Sequence, residues 1–190
     1  IKNSLISMVV AGSGNIPFEM PIKEFVEVAD GTECKIYGCL EGLRGEKTLR
    51  AIVHRYWEAG VSGIYLFNLY SMSNDWKRNV LGILGNPNKL QLLDKRYEID
   101  LSGPTPTSQV GHAFQNAIPK AQLPVTFDPI DKDYTSILQM DIADDLESAK
   151  TQGVLSRCIL RFGFSKFESD SNLLIHINGT PVDWSQHKLS

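Results

Sequence analysis

The chain has no apolar run near the roughly 18 residues that a membrane span needs. It also has no charge excess. Nineteen Lys and Arg stand against 22 Asp and Glu, for a net charge of -3, which gives no electrostatic case for nucleic acid or an anionic membrane surface. Cysteine is scarce. Cys34, Cys39 and Cys158 are odd in number and lack metal-like spacing. Cys34 and Cys39 would flank one strand, which disfavours a bridge between them, so the three read as buried or partly buried thiols. His54, His112, His176 and His187 show no ligand spacing, and neither a metal nor a cofactor is expected. P-loop, GxGxxG, nucleophile-elbow and zinc motifs are all missing. Gly12-Ser13-Gly14 lacks the third glycine and the acidic partner of a dinucleotide loop, and reads as an ordinary loop.

What remains is an ordinary globular composition, 42% hydrophobic and 22% charged, with a clear alternation in its first half. Leu5 to Val10 is a short apolar run that ends in Ala11-Gly12-Ser13-Gly14-Asn15, a buried strand and its loop. Pro21 suits a first helical turn, and Ile22, Phe25, Val26 and Ala29 recur at helical spacing. Lys35 to Leu40 is a second strand, ending at Glu41-Gly42. A helix follows from about Glu46 to Ala59, with Leu49, Ile52, Val53 and Tyr56 on one face and Gly60 as its stop. Gly63 to Asn68 is a third strand.

Strand centres therefore recur about every 30 residues with helices between them. That pattern predicts right-handed βαβ units and a parallel sheet. The repeat length suits a (β/α)8 barrel of roughly 250 residues, although an open doubly wound sheet would show the same local pattern. A complete barrel does not fit in 190 residues, and the first residue is Ile1. We therefore expect a piece of a longer chain: barrel strands over 1–101, a linker over 102–124, and a β-sandwich-like domain over 125–190 that continues further. Residues 76–95 read as helical, interrupted at Gly85-Asn86-Pro87. In the last part, Val125 to Phe127, Ile137 to Ile142, Leu155 to Phe162 and Leu173 to Ile177 read as strands. Asp144 to Lys150 reads as a short helical or turn insertion, and Asn178-Gly179 as a turn.

Catalytic groups of such barrels lie at the C-terminal ends of the strands. There the sequence offers Asn15, Glu41, Asn68 and Tyr70, with Tyr37 and Tyr65 nearby. A carboxylate, amides and aromatic rings at one mouth suit a sugar: the acid reacts, the amides bind hydroxyls, and the rings stack on an apolar sugar face. Each residue also has a plainer role. Glu41 could pair with Arg44 or Arg50, Tyr37 and Tyr65 are more often packing residues, and Trp76 and Trp184 suit packing better than sugar stacking.

The stretch from Trp57 to Asn68 resembles the last barrel strand of bacterial family 10 glycosylhydrolase-like proteins. Leu81 to Pro87 with Leu92 to Tyr97 resembles the section after that strand, and Asp141 to Lys150 with Asn178 to Trp184 resembles the appended β-domain. The resemblance implies barrel strands six to eight, with Glu41 at the strand-seven position of a retaining nucleophile. The partner acid/base belongs on strand four, outside this chain. The aromatic, commonly Trp, of strand eight is replaced by the Asn68-Leu69-Tyr70 region. The implied parent is a glycoside hydrolase acting on a poly- or oligosaccharide, extracellular or periplasmic, and this chain alone is expected to be inactive. The alternative is a non-catalytic carbohydrate-binding or cell-surface protein on a degenerate barrel. Oligomeric state is not legible.

Overall fold

The computed structural model describes residues 6–12, 17–41, 45–67, 69–101, 121–127, 134–165 and 174–182. The expected alternation is present: strand β1 (Met8–Gly12), helix α1 (Ile22–Ala29), strand β2 (Lys35–Glu41), helix α2 (Glu46–Glu58) and strand β3 (Gly63–Phe67). A 3-10 turn (Leu69–Ser71) leads to α3 (Asn74–Leu84) and α4 (Pro87–Leu90). The break between the two helices is chemical. Leu84 is followed by Gly85 as C-cap, then Asn86 as N-cap accepts from the amides of Asn88 and Lys89, and Pro87 opens the next turn.

The three strands form one parallel sheet in the order β1-β2-β3. Sequential order with right-handed crossovers places both connecting helices on one face. The register sorts the side chains accordingly. Val9, Ala11, Ile36, Leu40, Ile64 and Leu66 belong to the core that α1 and α2 cover. In α2, Leu49, Ile52, Val53 and Tyr56 are fully buried, and such side chains stabilise a fold by about 1.5–3 kcal/mol each. The Tyr56 ring lies on Gly38, where a Cβ would clash with it, and its hydroxyl donates to the Pro17 carbonyl at 3.2 Å. Helix α2 ends because Gly60 takes φ +89, a left-handed conformation that costs glycine little.

The opposite face carries Met8, Val10, Tyr37, Cys39, Tyr65 and Phe67 by alternation. Met8 is 55% exposed, Val10 41%, Tyr65 45% and Phe67 48%. Lys35 at its lower end shares this face, which is otherwise mainly apolar and, among the described residues, uncovered. Parallel sheets ordinarily bury both faces.

Contacts divide the chain into two compact units, 1–154 and 155–190. The first includes α5 (Leu146–Thr151), capped by the Asp145 side chain on the Ser148 amide, so the change of pattern near Leu123 ends the βα alternation without ending the compact unit. The sequence-based strands Val125 to Phe127, Ile137 to Ile142 and Leu155 to Phe162 lie in neither strand nor helix. An alternating sequence is compatible with a strand, but a strand requires a ladder partner. Among the described residues none lies alongside these segments. The second unit contains a hairpin of β4 (His176–Ile177) and β5 (Thr180–Pro181). Asn178 at φ 49 and Gly179 at φ 80 form the turn between them, as its Asn-Gly signal predicts.

Candidate functional site

The C-terminal ends of β1, β2 and β3 lie along one edge of the sheet, because the strands are parallel. Glu41 is the last residue of β2 and the register partner of Phe67, the last residue of β3. One rung below, Cys39 pairs with Tyr65, and below that Tyr37 pairs with Gly63. The positions of Tyr37, Cys39, Glu41, Tyr65 and Phe67 therefore share the uncovered face. Tyr37 is half-buried because its ring lies over Gly63, where a Cβ would stand 2.6 Å from it.

The sequence-predicted residues are thus partly assembled. Tyr37 and Tyr65 fall on one face, and Glu41 holds the last position of β2, paired with Phe67. Tyr70 lies beyond β3 in the 3-10 turn and is 82% exposed. Asn15, Asn68, Arg44 and Trp184 lie outside the described residues. Arg50, considered as a partner for Glu41, is 3.0 Å from Glu46, one turn earlier on its own helix. Trp76 packs against the core from α3. Phe67 was not singled out from sequence. Counting two residues from Tyr65 finds it on the same face as that ring.

A second polar cluster was not anticipated. Asp144 receives Lys95 Nζ at 2.6 Å on Oδ1 and the Tyr97 hydroxyl at 3.1 Å on Oδ2. His54 Nδ1 is 3.3 Å from Oδ1 but is not aligned as a hydrogen bond. His54 Nε2 faces Glu58 at 3.8 Å. Burial pushes the Asp144 carboxyl up, but His54, Lys95 and Tyr97 against it outweigh that and hold it below the usual carboxylate range. Tyr97 is pushed well above the ordinary tyrosine range, first by burial and then by the Asp144 charge and hydrogen bond. No short-range sequence signal marks this cluster, since Lys95 and Tyr97 precede Asp144 by 49 and 47 residues.

A third carboxylate, Asp100, is buried and accepts the amides of Phe18 and Glu19 on Oδ2 at 2.8 and 2.9 Å. It fastens the loop before α1. The three cysteines are not disulfide-bonded. Cys34 is buried and Cys39 intermediate, whereas Cys158 is exposed, against the expectation of a partly buried thiol. Among the described residues no group of three or more His, Cys, Asp or Glu could hold a metal ion, and no helix is long and apolar enough to cross a membrane. No protein-family model and no curated protein matches the chain.

Proposed function

We propose that the α/β unit is part of a (β/α)8 barrel of a glycoside hydrolase acting on a poly- or oligosaccharide, with Glu41 as its retaining nucleophile. The observation that carries this reading is the position of Glu41 on the last rung of a sequentially ordered parallel sheet. Its strand partner there is Phe67, and the sheet face below the two carries aromatic rings and, among the described residues, is uncovered. A closed barrel would turn that face inward and give it the cover that parallel strands need. Glu41 would attack the anomeric carbon, displacing the leaving oxygen as a second carboxyl, on a strand other than β1 to β3, protonates it. Water would then cleave the glycosyl ester, with the second carboxyl acting as base. Retention places the two carboxyl groups about 5–5.5 Å apart. Tyr37 and Tyr65 line the approach and Tyr70 offers a ring for sugar contact, with Asn15 and Asn68 as the further candidates that the sequence names. In the full-length protein, Glu41→Gln should lower kcat by at least about a thousandfold with an unchanged unfolding midpoint. Undiminished turnover in that variant would remove Glu41 from the mechanism.

A second reading is carbohydrate binding without hydrolysis. The exposure of the Tyr70 and Tyr65 rings favours it, since exposed rings can stack on sugars without any chemistry. Under that reading the wild-type protein binds oligosaccharide without turnover, and Glu41→Gln leaves its affinity within about threefold of wild type.

A further inference from the structure

We propose that residues 139–145 are a detachable strap that runs past α2 and is fastened to the chain after α4 by the Asp144 carboxylate, and that it is released when that carboxylate is neutralised. The strap has no regular structure over 139–143, and Asp141 and Ile142 are exposed. Its attachments are polar. Gln139 exchanges two hydrogen bonds with the Gln122 side chain, each 2.8 Å long. Asp141 meets Arg55 at 3.2 Å, but its side chain is 77% exposed, so that pair is solvent-screened and weak.

The Asp144 attachment is different in kind. Its main partner, the Lys95 side chain, is only 1% exposed. Lys95 also donates to the Leu93 and Gln91 carbonyls, at 3.2 and 3.4 Å, but neutral acceptors do not balance a buried ammonium charge. Removing the charge of Asp144 therefore leaves Lys95 buried and uncompensated, and lifting the strap rehydrates it. His54 sits between Asp144 and Glu58. The groups facing Asp144 are thus Lys95 and Tyr97 from the chain after α4 and His54 from α2. All three favour its ionised form, so the strap stays fastened at neutral pH and loosens as pH falls below the usual carboxylate range.

Hydrogen exchange of the whole chain tests this. At neutral pH, Asp144→Asn should raise exchange across residues 139–151 by about tenfold or more, with the amides of α2 and β2 unchanged. Asp141→Asn should change it by less than about threefold. In the wild type, exchange of 139–151, corrected for its intrinsic pH dependence, should rise on acidification before that of α2. Unaltered exchange in Asp144→Asn would overturn the proposal. So would a strap that opens only together with α2 on acidification, because the segment would then be an integral part of the fold.

Discussion

Tyr37 and Gly63 are register partners on the uncovered sheet face, and the tyrosine ring occupies the space that a side chain at 63 would fill. A Cβ there would stand 2.6 Å from Tyr37 Cε1. Gly63→Ala should therefore destabilise the α/β unit by about 1–3 kcal/mol, a typical overpacking cost. In a Tyr37→Ala background the same change should cost about 1 kcal/mol less, because the conflicting ring is gone. Urea unfolding of the four variants measures the coupling. Equal costs in both backgrounds would show that the ring does not depend on the missing side chain.

Asp100 holds the chain before α1 through two amides, and it is buried. Asp100→Ala leaves the amides of Phe18 and Glu19 without that acceptor, at an expected cost of about 2–4 kcal/mol. Asp100→Asn keeps one acceptor oxygen and should cost roughly half as much. The unfolding midpoints of the two variants check the order.

Tyr97 is expected to make the fold sensitive to alkaline pH. Its hydroxyl ionises far above the ordinary tyrosine value of about 10 in the folded chain, so above pH 10 the unfolded state loses a proton that the folded state keeps. Stability is then fully present below pH 10 and falls as pH rises past it. Tyr97→Phe removes this dependence and should flatten the decline between about pH 9.5 and 11.5. An unfolding midpoint that declines equally in both proteins would assign the alkaline limit to other groups.

Local signals carried much of the fold. The apolar runs before Gly12, Glu41 and Asn68, and the helical spacing of Leu49, Ile52, Val53 and Tyr56, are short-range features, and each became an element of the expected type. The turns at Gly60 and Asn178-Gly179 were legible because left-handed backbone favours those residues. The segments Ile137 to Ile142 and Leu155 to Phe162 were not legible, because alternation reports what a strand tolerates and is silent about its partner. Strand ends named Glu41, and strand parity could have named Phe67. The buried cluster at Asp144 depends on tertiary proximity. His54 was legible as a helix residue, while its place beside Asp144 came from chain that folds back ninety residues later.

The nucleophile assignment is tested most directly by trapping a glycosyl ester. Treating the full-length protein with activated 2-fluoro glycosides, followed by peptide mass spectrometry, should place a single sugar adduct on the peptide that contains Glu41, and Glu41→Gln should abolish it. An active protein whose adduct maps to another carboxylate, or that forms none, would contradict the assignment.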